Sequence, residues 1–186
     1  MGKVLITTEA FRERKVAEEV ENLLALRGIE VSTKIFERFP GVLLVESRHL
    51  DSVRLSRVMI NTAHIRRIVR KVIPVLRDYM LKSPSYVDVT VLILEDFLPR
   101  VDLCALRGKT FCVRCRFRGV RGETYCEKLL GYYVKRVVPE ARVSLEEPEY
   151  VLLVELVGEW CGVYFGPNDR SVLLYPDVQR ARSRQV

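Results

Sequence analysis

Thr110 to Arg118 (TFCVRCRFR) alternates like a strand, which sets Cys112, Arg114, Arg116 and Arg118 on one face and Phe111, Val113, Cys115 and Phe117 on the other. Three arginines in a row repel one another unless an anion neutralises them. The chain then turns through Gly119-Val120-Arg121-Gly122 into a helix start, where N–H groups and the helix dipole attract phosphate. Together these features suit a phosphate-bearing polymer; the competing description is a solvated sheet edge salt-bridged to acidic strands. Cys112 and Cys115 have the CxxC spacing of half a zinc site or a redox pair. Residues three apart on a strand face opposite sides, however, and Cys104, Cys126 and Cys161 form no second CxxC. Passive thiols and no metal are expected. His49 and His64, the only histidines, lie beside no convincing Ser, Cys or carboxylate partner in the sequence. Neither a Walker-type phosphate loop nor a GxGxxG is present, so no cofactor and no catalytic residue are expected.

The elements that position these residues fall into two halves. Lys3–Thr8 reads as a buried strand, Phe11–Arg27 as a helix ended by Gly28, and Glu30–Phe36 and Val42–Glu46 as two further strands. Asp51–Asn61 predicts a helix capped by Asp51. Ile65–Val75 has helical apolar spacing but is rich in β-branched residues, and is read as a strand. That completes a β-α-β-β-α-β ferredoxin-like order over the first 75 residues. Ser83 and Pro84 mark a helix start, while Val87–Leu94 is β-branched, which leaves helix and strand evenly matched there. After Thr110–Arg118, Glu123–Val138 predicts a helix with Leu129, Leu130, Tyr133, Val134 and Val137 apolar. Strands at Arg142–Leu145, Tyr150–Val157 and Trp160–Phe165 follow. The expected class is α+β: a ferredoxin-like domain over 1–82, an α/β domain over 83–172 and a basic tail over 173–186.

Charge supports a polyanionic partner through its distribution. The net charge is +7, from 31 basic and 24 acidic residues. Residues 104–142 hold ten basic and three acidic side chains, a local +7, and residues 143–169 hold six acidic and no basic ones, −6. Arginine outnumbers lysine 23 to 8, which suits phosphate and base recognition but also accompanies heat adaptation, as does the scarcity of Asn and Gln. No apolar run reaches the roughly 18 residues of a membrane span, and the amino terminus does not read as a signal peptide. A cytoplasmic protein without a membrane partner is expected.

The second half resembles the THUMP domain, an RNA-binding module of tRNA-modifying proteins. The resemblance rests on Thr110-Phe-Cys-Val-Arg-Cys-Arg-Phe-Arg-Gly119, Leu130-Gly-Tyr-Tyr-Val134, Val143-Ser-Leu-Glu-Glu-Pro148 running on to Glu155, and Cys161-Gly-Val-Tyr-Phe-Gly166. Phe39–Glu46 (FPGVLLVE) and Arg70–Val75 (RKVIPV) are similar to the first part of the adaptor that supports cytidine acetylation in tRNA. The resemblance implies a non-enzymatic adaptor that binds the acceptor arm and 3′ end of tRNA through a basic surface drawn from both halves. It would present that tRNA to a separate modifying enzyme, a cytidine acetyltransferase. The absence of a methyltransferase, thiouridine-synthase or deaminase module from these residues agrees with that expectation. It assigns RNA contacts to Arg67, Arg70 and Lys71 and to Arg114, Arg116, Arg118, Arg121, Lys128, Lys135 and Arg136. On this reading, reversing the charge of Arg118 and Arg121 would weaken RNA binding and leave melting unchanged or slightly raised. The rivals are an adaptor for another tRNA-modifying enzyme and a free-standing cysteine- or metal-dependent enzyme.

Overall fold

A computed structural model describes residues 1–178, in two units, Met1–Leu76 with Asp169–Asp177 and Arg77–Asn168 with Val178. The basic residues Arg180, Arg182 and Arg184 of the expected tail lie outside the described residues.

The first unit begins with β1 (Gly2–Thr7), α1 (Glu13–Ala25), β2 (Val31–Ile35) and β3 (Val42–Ser47), followed by α2 (Ser52–Asn61), α3 (Ala63–Ile68) and β4 (Lys71–Val75). The four strands form an antiparallel sheet in the order β2-β3-β1-β4. Val4, Ile6, Leu43, Val45 and Val72 cluster with Val20 and Leu24 of α1 and Leu55 and Met59 of α2. Asp51 caps α2 by accepting from the Arg54 N–H at 2.8 Å, as its position predicts.

The expected single strand over Ile65–Val75 is in fact two elements. Ile65 is fully buried on α3, the chain becomes extended at Val69, and the Arg70 N–H donates to the Thr7 carbonyl as pairing with β1 begins. The helical spacing of Ile65, Ile68 and Val69 and the strand composition of 71–75 are both real signals, belonging to adjacent pieces. Pro74 is tolerated because β4 is an edge strand. Val72 exchanges backbone bonds with Leu174 across that edge, which packs Leu174 against the core of this unit, and Leu173 and Tyr175, expected in a loose tail, are buried.

The second unit starts at β5 (Arg77–Met80), which the sequence reading assigned to the first domain. It belongs to the second because it pairs antiparallel with β9 (Trp160–Pro167). The sheet order is β5-β9-β8-β6-β7, with β6 (Thr110–Arg118) parallel to β7 (Arg142–Val143) and to β8 (Tyr150–Val157). Phe111, Val113, Cys115 and Phe117 of β6 join Leu152, Val154, Leu156, Cys161 and Val163 in one cluster. The helices α4 (Tyr86–Leu92) and α5 (Glu123–Val137) cover that face through Val89, Cys126, Leu130 and Val134.

The evenly matched segment is helical: α4 continues through a wide turn at Ile93–Phe97 and a tight one at Leu98–Arg100. Its β-branched residues yield to burial at i, i+4 and i+8, namely Val89, Ile93 and Phe97, and to a strong start. The start is Ser85, not Ser83: Ser85 and Asp88 form a reciprocal capping box, while Ser83 sits in the turn at φ 44°.

The carboxylates that brace this architecture set its acid limit. Asp96 is held below its ordinary pKa of 3.8 by the Tyr79 hydroxyl and then by Arg100. Asp88 is lowered by Ser85 and Glu149 by Lys109. A depressed folded-state pKa contributes stability above the unfolded value that is lost as pH falls through the folded one. Urea midpoints should therefore be level from pH 7 to about 5 and fall progressively below about 4. A midpoint that rises on acidification would contradict these contacts.

Candidate nucleic-acid interface

The core stripe of α5 is Cys126, Leu130 and Val134, so the expected core residues Leu129 and Val137 face outward, about half exposed. A second stripe follows at spacings of four, three, four and three: Arg121 just before the helix, then Tyr125, Lys128, Tyr132 and Lys135, with Arg136 adjoining. Tyr125 and Tyr132 are 63% and 69% exposed, although each could bury a large ring. Such alternation of cations and accessible rings offers phosphates a charge and bases a stacking face in turn. The two tyrosines escape a sequence reading that counts cations alone; the four-three spacing is the signal that could have found them.

Local geometry holds the start of this stripe. Gly122, at φ 120°, lets the chain turn into α5, and a Cβ there would lie 2.5 Å from the Tyr86 ring. That ring stacks on Tyr125 with centroids 5.7 Å apart. Glu123 accepts from the Phe117 N–H and Glu127 from the Cys115 N–H, tying the first turns of α5 to β6. Both acids are thereby occupied, and Arg121, Lys128 and Arg136 stand exposed with no ion pair among the described residues.

Beside the stripe runs a groove of about 440 Å³ between α5 and the β6–β7 edge. Phe111, Val113, Gly131, Val143 and Leu145 give it an apolar lining, and Arg114, Lys128, Lys135 and Tyr132 surround them. Arg114 donates to the Leu145 carbonyl at 3.2 Å from the sheet edge that β7 leaves uncovered. Gly131 has no steric need to be glycine, since a Cβ there would meet only Val113 at an ordinary 3.9 Å. A mid-helix glycine costs about 0.5–1 kcal/mol against alanine, so Gly131→Ala should stabilise the fold by that amount in urea titrations. A destabilised Gly131→Ala variant would mean that the helix depends on close backbone approach at this point.

The ten expected RNA-binding residues are thus divided. Arg114, Lys128 and Lys135 meet at the groove, with Arg121 and Arg136 on the same helix face. Arg116 is exposed on the sheet face beside Glu155 in register. Arg118 is not a row member open to phosphate. It donates to Glu155 at 2.8 Å, and the Glu155 side chain is only 3% exposed. Lys135 is partly committed as well, closing α5 by donating to the carbonyls of Pro139 and Ala141 at 2.7 and 2.6 Å. In the first unit Lys71 is ion-paired to Asp177 at 2.8 Å and lies 3.9 Å from the Tyr175 ring centre, so it is a structural residue there. Arg70 is exposed and contacts Glu9 at 3.5 Å; Arg67 is exposed on α3.

Cys115, Cys126 and Cys161 share the buried core of the second unit, and Cys112 lies apart from them. Cys112 is buried on the sheet face opposite Cys115, and desolvation pushes its thiol up to about 12. Cys115 lies among the helices, where burial and a hydrogen bond with Cys126 push its pKa well above the ordinary value. Among the described residues no three His, Cys, Asp or Glu side chains are grouped to hold a metal ion. No helix among them is long and apolar enough to cross a membrane.

Neither a family model nor a curated protein matches the sequence. Solved structures do match the fold. TrmN from Thermus thermophilus superposes with a TM-score of 0.64 at 18% identity, over 95% of this chain and 48% of its own. PH1313 from Pyrococcus horikoshii gives 0.60 at 13% identity, over 89% of this chain and 54% of its own. A possible methylase from Clostridium difficile gives 0.52 at 12% identity, over 89% and 41%. The chain therefore spans about half the length, or less, of these three matched structures. The Clostridium difficile neighbour overturns one expectation, that of a non-enzymatic protein: the architecture is found in a chain described as a possible methylase. At these identities the likeness is one of fold, a mixed α/β arrangement with two sheets.

Proposed function

We propose that the chain binds RNA through the α5 stripe and its groove, as the tRNA-holding part of a tRNA-modification system of the THUMP type. The observation that carries this reading is the alternation of Arg121, Tyr125, Lys128, Tyr132 and Lys135 beside a groove that also gathers Arg114. Exposed cations supply the salt-sensitive attraction common to RNA binders, and exposed tyrosines supply stacking that duplex backbones alone do not use. The motif resemblance over 110–166 supports tRNA as the RNA and its acceptor arm and 3′ end as the region bound, and the element order from β1 to β4 supports a ferredoxin-like description of the first unit. The similarity of Phe39–Glu46 and Arg70–Val75 to the acetylation adaptor supports cytidine acetylation by a partner acetyltransferase as the chemistry served. A second reading, favoured by the methylase fold neighbour, is that the modification is a methyl transfer.

Two experiments test this. Direct titration with intact tRNA and with tRNA trimmed of its single-stranded 3′ end should show tighter binding of the intact form. Equal affinity for the two would remove the 3′ end from the proposal. Adding the chain to source-cell extract with labelled acetyl-coenzyme A or labelled S-adenosylmethionine should then increase acetyl label in tRNA. An increase in methyl label alone would favour the second reading, and stimulation of neither would contradict both.

A further inference from the structure

Phe11 is held where neither hydrophobicity nor backbone preference would put it. Its ring is 88% exposed and its φ is 67°, in the left-handed region that bulky side chains avoid. The surroundings impose this conformation. The Phe11 N–H donates to Glu13 Oε1 at 2.9 Å, and the Gly41 N–H donates to the same oxygen. The Thr8 N–H donates to the Gly41 carbonyl at 2.9 Å, fastening the β1–α1 loop to the β2–β3 turn. Gly41 permits this approach: it has φ 81°, and a Cβ there would lie 2.8 Å from the Thr8 oxygen. Partial burial pushes the Glu13 pKa up, but the N–H groups of Glu13 itself, Gly41 and Phe11 outweigh it, so the carboxylate is kept charged.

The sheet register shows what else lies at this end. Thr7 pairs with Val42 and with Lys71, and Ile35 with Leu43, so segments 8–12, 36–41 and 62–70 all leave the same end of the sheet. They bring Arg12, Arg38, Arg66, Arg67 and Arg70 to that end. Glu9 braces two of these arginines, Arg12 at 3.1 Å and Arg70 at 3.5 Å. Phe11 is the one exposed large apolar residue on the three segments. One exposed ring among arginines, with Phe36 and Phe39 only partly exposed on the neighbouring segment, matches the pairing of a stacking face with phosphate-binding charge.

We infer that Phe11 is a stacking post for an unpaired RNA base, with the arginines at this end of the sheet taking the flanking phosphates. The inference rests on the RNA-binding reading above and adds a second contact site, in the first unit. Three variants test it: Phe11→Gly, Phe11→Trp and, as a reference for the α5 stripe, Tyr132→Ala. Phe11→Gly relieves the left-handed strain while removing the ring, so its urea midpoint should hold or rise. Its affinity for a single-stranded RNA oligonucleotide should fall about 5- to 100-fold, the effect of removing one stacked base. Affinity for a blunt RNA duplex should change far less. Phe11→Trp should keep the single-strand affinity, with emission from the added indole quenched as RNA binds. If Phe11→Gly binds single strands like the unmodified protein while Tyr132→Ala binds more weakly, the stacking post is wrong and the α5 reading stands. An equal loss for single strands and duplex would also overturn the post, since a blunt duplex offers no unpaired base. If the unmodified protein binds no RNA, both readings fall.

Discussion

Arg118→Ala should destabilise the second unit by about 3–5 kcal/mol, the typical cost of stripping one partner from a buried ion pair. The Glu155 carboxylate is 3% exposed, and the Arg118 guanidinium reaches it at 2.8 Å across the β6–β8 ladder. Removing the arginine strips a close, nearly buried ion-pair partner from Glu155 on a strand hydrogen-bonded on both sides. Arg118→Glu should be worse, because it sets two carboxylates against each other. This reverses the expectation that charge reversal at Arg118 would leave melting unchanged. Replacing both partners, as Arg118→Met with Glu155→Leu, should recover most of the stability, since an apolar pair carries no desolvation penalty. Urea unfolding of the three proteins measures this. A loss below about 1 kcal/mol for Arg118→Ala would place the pair among surface salt bridges, and Arg118 would return to the set of RNA-binding residues.

The second large effect concerns the α5 stripe. Tyr125→Ala with Tyr132→Ala should lower RNA affinity by about 5- to 100-fold for each ring that stacks on a base. Stability should change little at Tyr132, which is 69% exposed, and somewhat more at Tyr125, whose ring stacks on Tyr86. Fluorescence anisotropy with labelled RNA, run alongside urea titrations, separates the two. A fall in stability without a fall in affinity would mean that these rings pack rather than bind.

Much of the fold was legible because it obeys simple periods. Phe111, Val113, Cys115 and Phe117 alternate along β6, and all four are buried on the helix-covered face. What failed did so where two signals overlapped. Ile65–Val75 holds a helix and a strand back to back, and the extended backbone at Val69 with the Arg70 to Thr7 bond marks where one gives way to the other. At α4 the β-branched residues pointed to strand, but the Ser85–Asp88 capping box and the burial of Val89, Ile93 and Phe97 decided for helix. The unit boundary was misplaced because β5 is recruited by β9, some 80 residues later, and no local pattern encodes that pairing.

The candidate site is legible from the sequence in which cations it gathers and less so in its geometry. Arg114, Lys128 and Lys135 were named from sequence and do share a groove. Arg118 was named for the same reason and is bonded to an acid 37 residues away. The alternative reading of the arginine row, as a sheet edge salt-bridged to the acidic strands, holds at Arg118. Lys71 was misread similarly: its partners Asp177 and Tyr175 come from a segment expected to be a tail. A basic side chain reads as a ligand contact until its tertiary partner is known.

RNA binding through α5 is tested most directly by the salt dependence of tRNA affinity for the unmodified protein and for Lys128→Glu with Arg136→Glu. Both side chains are exposed and without an ion pair among the described residues, so the fold should tolerate the change. Removing one cation from its phosphate lowers the slope of log affinity against log salt by roughly 0.7–0.9. The doubly substituted protein should therefore bind more weakly and show a slope flatter by about 1.5. Affinity and slope identical to those of the unmodified protein, with unfolding also unchanged, would contradict the assignment of this helix face to RNA.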